Sequence, residues 1–181
     1  MPLNIFKKTL NPILAYFGEK KLKKHFKGEP IIIGGCGRSG TTLLLSIISA
    51  HPDVYAFPKE IGVFSEWHSG KARLDRLYRY IITHELPEEQ KRMCEKTPAN
   101  VRYFDKILDF YDNQVKLIHI IRDGRDVMLS QHPKNPDKYW VNPERWINDN
   151  YKTLGKVMSY KEVINFLEEL NYPLEKGEYN G

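Results

Sequence analysis

Apolar residues come in short bursts along this chain, and their spacing changes from one burst to the next. Ile31 to Gly35 is a β-branched run closed by glycines, the pattern of a strand covered on both faces. Thr42 to Ala50 is an apolar run of helical length that ends near His51-Pro52. Val54-Tyr55-Ala56 predicts a short strand stopping at Phe57-Pro58, with Lys59 and Glu60 in the loop that follows. Leu74, Leu77, Tyr78 and Ile81 recur at helical spacing inside a mixed-charge stretch from Ala72 to Glu89. Met93 to Pro98 reads as another short strand, and Gln114 to Ile121, containing VKLIHII, as a strand of the buried parallel type. HPKNPDKYWVNP then forms a proline-punctuated loop with Tyr139 and Trp140, before helical patterns at Pro143 to Met158 and Tyr160 to Leu170. Strands that alternate with helices predict an α/β fold, three-layer, with a mainly parallel sheet.

Composition narrows this picture. A chain of 181 residues, 41% hydrophobic and 12% aromatic, has enough material for one core. No stretch reaches the roughly 18 apolar residues of a membrane span, and no signal-peptide core is present, so a cytoplasmic location is expected. The net charge of +5 is concentrated at one end: residues 1–28 hold seven lysines against Glu19, a balance of +6, which leaves the rest at −1. This basic N-terminal arm, residues 1–28, carries Ile5, Leu10, Ile13, Leu14 and Phe17 as a helical stripe interrupted at Pro12. It suits either packing on the domain of residues 29–181 or weak contact with an anionic membrane surface. Its aromatics are not interleaved with the lysines, so nucleic acid is not an expected partner. Cys36 and Cys94 lack the spacing of a zinc site or a disulfide framework and read as reduced thiols.

The stretch with most chemistry is IIIGGCGRSGTTLLLSIIS, Ile31 to Ser49, in which strand, glycine-rich turn and helix follow without a break. Such a unit turns backbone N–H groups inward and places the positive end of a helix dipole at the loop, so an anion is expected there. Gly35 to Gly40 matches the Walker A frame, but Thr41 stands where a nucleoside triphosphatase has lysine. Arg38 instead puts a cation inside this P-loop-like phosphate-binding loop, with hydroxyls on Ser39, Thr41 and Thr42, an arrangement that needs no metal.

The segment CGRSGTTLLLSIISAHPDVYAFPKE resembles the 5′-phosphosulfate loop of sulfotransferases that use 3′-phosphoadenosine 5′-phosphosulfate (PAPS), of the Golgi and bacterial type that includes the protein-tyrosine sulfotransferases. The resemblance implies that Arg38, Ser39, Gly40, Thr41 and Thr42 hold the 5′-phosphosulfate of PAPS. It also implies that Glu60 is the general base that takes the acceptor proton, with Glu66 and His68 as fallbacks. Met93 to Pro98 resembles the family's C-x-K-x-P segment, which makes Lys96 the cation for the transferring sulfuryl group. Arg122-Asp123-Gly124-Arg125, with Ser130 eight residues after Arg122, resembles its 3′-phosphate signature. Asp123 is placed to cap a helix that holds Asp126, with Ser130 about two turns in, and Arg125 and Asp126 are expected to pair on its surface.

Together these segments imply a sulfotransferase moving a sulfuryl group from PAPS to a hydroxyl or amine acceptor, without metal. The partners are then a nucleotide co-substrate and an acceptor that is a carbohydrate, small molecule or protein. The resemblance runs from about Pro30 to Met158 and leaves a tail short for the family, without its R-Y-E-D-L-like strand. An incomplete sheet edge calls for a partner subunit, hence a homo-oligomer. Two alternatives stand beside this reading: a catalytically impaired nucleotide-binding or interaction protein of the same fold, and a P-loop kinase or triphosphatase.

Overall fold

The computed structural model describes residues 12–65, 72–132, 135–139 and 141–157. Within them lie six helices, six strands and one 3-10 turn; strands and helices alternate, and the helical segment at 98–110 is one that the hydropathy pattern did not predict. Helix α1 is described over Pro12–His25. Strand β1, Ile31–Gly35, leads through the glycine loop into α2, Thr41–Ile48. Then come β2, Val54–Ala56, α3, Leu74–Thr83, and β3, Arg92–Lys96. The 3-10 turn Pro98–Tyr103 runs into α4, Phe104–Phe110, followed by β4, Lys116–Ile120, and α5, Gly124–Met128. The two-stranded ribbon of β5, Gln131–His132, and β6, Asn135–Tyr139, precedes α6, Pro143–Val157.

Four parallel strands make the sheet in the order β2-β3-β1-β4. Alternation of side chains along β1 divides the core into two layers. Ile32 points to the face shared by Met93, Phe57, Leu77, Ile81, Val101, Phe104 and Ile107, which α3 and α4 cover. Ile33 points to the opposite face with Val54 and Cys94, which α2 covers through Leu44, Leu45 and Ile48. Helix, sheet and helix are therefore stacked in three layers, and β1 is central enough to need apolar residues on both sides.

Four expectations need correction. Helix α3 stops at Thr83, with His84 already extended, whereas the pattern ran to Glu89. Leu86-Pro87 explains this, because a proline drives the residue before it out of the helical region. Strand β4 is half-buried rather than fully buried, since it forms one edge of the sheet among the described residues. The supposed loop after Ser130 contains the β5–β6 ribbon, where Pro136 is tolerated because a two-stranded ribbon has open edges. Arg125 pairs with Asp123 at 2.7 Å, and Asp126 with Arg122 at 3.5 Å, rather than with each other.

The basic arm is in part a packed helix. Gly18 of α1 is buried directly against Tyr78 of α3, where any side chain larger than hydrogen would overlap the tyrosine. Ile13, Tyr16 and Phe17 remain exposed at 66%, 60% and 56%, while Leu14 is partly buried and Leu22 packs against the core. No helix among the described residues is long and apolar enough to cross a membrane. The helix expected at Tyr160 to Leu170, the chain end, Trp140, and the fallback bases Glu66 and His68 lie outside the described residues.

Candidate functional site

In a parallel sheet all strands point the same way, so their carboxyl ends share one rim. The order β2-β3-β1-β4 places along that rim, in turn, the loop with Glu60, the end of β3 with Lys96, the glycine loop, and Arg122. Residues scattered from position 38 to position 130 are thereby gathered by topology.

The glycine loop is built to leave donors open. Gly40 sits before the first residue of α2 with φ of 97°, a left-handed conformation that favours glycine, and it has no side chain to cap the helix. The first-turn N–H groups consequently lack a side-chain partner, which is the condition that makes a helix N-terminus an anion site. Ser39 adds a second sign. Its residue is 5% exposed, and its hydroxyl is buried without a hydrogen-bond partner among the described residues. Buried hydroxyls are normally satisfied, so an oxygen-rich ligand in the loop fits this site. Thr41 is buried at the start of α2, and Thr42 beside it is exposed.

Arg38 also occupies the left-handed region, with φ of 71°, and its Nε donates to Ser130 Oγ at 2.8 Å. Arg122 donates from a terminal nitrogen to the Arg38 carbonyl at 3.3 Å. The two candidate phosphate sites are therefore joined through Arg38. Ser130 arrives by a route different from that expected: α5 ends at Met128, and Ser130 lies beyond its C-cap rather than two turns inside. Asp123 does cap α5, accepting from the Arg125 N–H at 2.8 Å. The bonds from Arg125 hold the Asp123 carboxyl down to about 2. Trp146 of α6 fixes the same corner, donating from its indole to the Arg122 carbonyl at 3.0 Å.

On the other side of the loop, Lys96 Nζ lies 2.6 Å from Glu60 Oε1 and 3.2 Å from Thr42 Oγ1. The lysine side chain is 8% exposed and the glutamate 50%. Lys96 is thus a nearly enclosed cation that links α2 to the Glu60 loop. Glu60, Lys96 and Thr42 form one group, and Arg38, Arg122 and Ser130 form another, with the glycine loop between them.

Sequence reasoning passed over the residues that hold these groups in place. Glu95 is 1% exposed, directly beside Lys96, and accepts from Thr97 Oγ1 at 2.6 Å, Asn100 Nδ2 at 2.6 Å and the Gly62 N–H at 3.3 Å. Burial pushes its carboxyl up, and those hydrogen bonds pull in the opposite direction. Through Gly62 it anchors the Glu60 loop to β3. Asp149 of α6, also 1% exposed, is gripped by Arg102 at 2.5 Å and approached by Arg145 at 3.6 Å. Burial, with Asp149 nearby, pushes the Cys36 thiol up to about 11. No spacing rule signals these pairings, because Arg102 and Asp149 are 47 residues apart. Among the described residues no group of three or more His, Cys, Asp or Glu side chains is placed to hold a metal ion.

Comparison with known proteins points the same way as the geometry. Residues 30–77, from the start of β1 through the glycine loop and Glu60 into α3, match the sulfotransferase family. The resemblance to the sulfotransferases holds. A protein-tyrosine sulfotransferase of Drosophila melanogaster is 29% identical over 122 residues, covering 55% of this chain and 24% of that protein. Protein-tyrosine sulfotransferase A of Caenorhabditis elegans is 27% identical over 122 residues, covering 55% and 32%. Protein-tyrosine sulfotransferase 1 of Rattus norvegicus is 27% identical over 143 residues, covering 66% and 38%. The chain therefore spans between about a quarter and two-fifths of the length of these sulfotransferases.

Proposed function

We propose that this chain transfers a sulfuryl group from PAPS to a hydroxyl or amine acceptor. The observation that carries the reading is the line of groups along the sheet rim: Arg122 and Ser130, the glycine loop, Lys96, then Glu60. Two anion sites on one side of a buried lysine, and a carboxylate on the other, match a donor with two phosphate-bearing positions and an acceptor that must lose a proton.

In this reading Arg38, Ser39, Gly40, Thr41 and Thr42 hold the 5′-phosphosulfate, and Arg122 with Ser130 holds the 3′-phosphate. The open amides of α2 and the unpartnered Ser39 hydroxyl supply donors that the described residues leave unused. PAPS supplies the activated sulfuryl group: a bond forms from sulfur to the acceptor oxygen or nitrogen as the bond from sulfur to the phosphate oxygen breaks. Glu60, half-exposed at the acceptor side, takes the acceptor proton. Lys96 offsets negative charge as it builds on the departing oxygen, and its enclosure keeps that interaction from being screened by water. Arginine at both phosphate positions is suited to forked contacts with phosphate oxygens.

Transfer of labelled sulfate from PAPS to a mixed acceptor panel, without magnesium, tests the reading. Wild-type chain should label an acceptor, and Glu60→Ala and Lys96→Ala should each lower kcat by about a hundredfold or more. Full activity in Glu60→Ala removes Glu60 from the scheme, and transfer from ATP that requires magnesium replaces the reading by a kinase.

A further inference from the structure

We propose that the cleft beyond Glu60 receives a compact acceptor that carries an anionic group of its own, a carboxylate, phosphate or sulfate, and that Lys59 and Arg79 recognise that group. The inference rests on the reading of Glu60 as the acceptor-side base and names the chemistry of the acceptor. Next to Glu60 lies a cavity of about 590 Å³, within the range of pockets that hold small molecules. One wall is a single face of α3, since Arg76, Arg79, Tyr80 and Thr83 follow the three- and four-residue steps that align side chains on a helix.

Among the described residues, the charges lining the cavity are unbalanced. Of its two carboxylates, Asp75 is held by two hydrogen bonds from Arg73, both 2.9 Å, and Glu60 by Lys96. Arg76 donates to the Gly62 carbonyl at 3.2 Å. Lys59 and Arg79 have no carboxylate partner among the described residues; the lysine instead stands 5.8 Å from the centre of the Tyr80 ring. Tyr80 is itself stacked on His84 at 3.8 Å, which gives Lys59 a rigid aromatic backing. These cations belong to a different part of the rim from the donor phosphates. The cleft is at the end of β2, whereas Arg38, Arg122 and Ser130 follow β1 and β4, with β3 between. A cleft lined by uncompensated positive charge raises the local concentration of anions and orients them. An anionic group drawn to Lys59 and Arg79 leaves the acceptor nucleophile toward Glu60.

The test is calorimetric titration of the full chain, saturated with 3′-phosphoadenosine 5′-phosphate, using matched probes: glucuronate against glucose, and 4-hydroxybenzoate against phenol. In at least one pair the anionic member should bind about tenfold more tightly, with the preference shrinking as salt is raised. Lys59→Ala/Arg79→Ala should bring the two members of that pair within about twofold, and Arg79→Lys should restore part of the difference. Both variants should hold 3′-phosphoadenosine 5′-phosphate as the wild type does. Equal binding of both members in both pairs overturns the proposal, as does a preference that survives in the double variant. Failure to bind 3′-phosphoadenosine 5′-phosphate at all removes the function reading first, and is thereby distinguished from failure of the cleft assignment alone.

Discussion

Removing the charge of Glu60 and removing the charge of Lys96 should have unequal effects on stability, because the two ends of the pair are not equally buried. The ammonium is 8% exposed and the carboxylate 50%. In Glu60→Met the ammonium loses its 2.6 Å partner and retains Thr42 Oγ1 at 3.2 Å. A charged donor left short of partners in an enclosed site loses about 1–3 kcal/mol, and the remaining hydroxyl places this case at about 1–2 kcal/mol. For a chain of this size that lowers the melting temperature by about 2–8 °C. In Lys96→Met the apolar stem is kept and the carboxylate, already half in water, is simply hydrated, so stability should stay within about 0.5 kcal/mol. Urea unfolding followed by tryptophan fluorescence, with the double variant closing the cycle, measures all three. Both single variants should lose sulfuryl transfer, so activity and stability separate. A Glu60→Met chain as stable as wild type, or Lys96→Met as the less stable of the two, would refute the reasoning.

Further outcomes follow from the same contacts. Burial pushes Cys36 up to about 11 and Cys94 up to about 12, so at pH 8 only about one thiol in a thousand is thiolate at Cys36 and fewer at Cys94. Iodoacetamide should therefore label both only after urea unfolding, and rapid labelling of the native chain would contradict their placement. Asp123 is held down to about 2, so its contribution to the α5 cap is present above about pH 4 and lost as pH falls toward 2. Asp123→Asn should flatten that part of the acid unfolding curve. Glu95→Ala should cost about 2–4 kcal/mol in chemical denaturation, since Thr97, Asn100 and Gly62 all lose an acceptor inside the core. Because burial pushes Glu95 up, the folded chain holds that proton more tightly than the unfolded chain does. Stability from this group is then full below the ordinary glutamate range and falls as pH rises through the folded value, and Glu95→Gln should reduce that slope.

The central β1-loop-α2 unit was legible in the sequence because its signals are local: β-branched residues, glycines at the turn, and an apolar helix immediately after. The sheet order was not, since pairing β3 between β1 and β2 depends on contacts between distant segments. The RDGR segment shows the limit well. Its cap at Asp123 could be read from residue type, but the length of α5 and the swap of ion-pair partners depend on where the chain must turn after Met128. Glu95 and Asp149 carried no signal at all, because a carboxylate destined for the core looks like any surface acid until its partners are in place. Of the candidate site residues, the described structure brings Glu60, Lys96 and Thr42 together, and Arg38, Arg122 and Ser130 together.

The most direct measurement is calorimetric binding of 3′-phosphoadenosine 5′-phosphate and of ADP, without magnesium, to wild type and Arg122→Ala. Tighter binding of the 3′-phosphate compound by at least about tenfold, lost in the variant, is the result predicted from two anion sites on the β1–β4 side of Lys96. Equal affinity for the two nucleotides, or a preference that Arg122→Ala leaves intact, would contradict the assignment of the second site and with it the proposed donor.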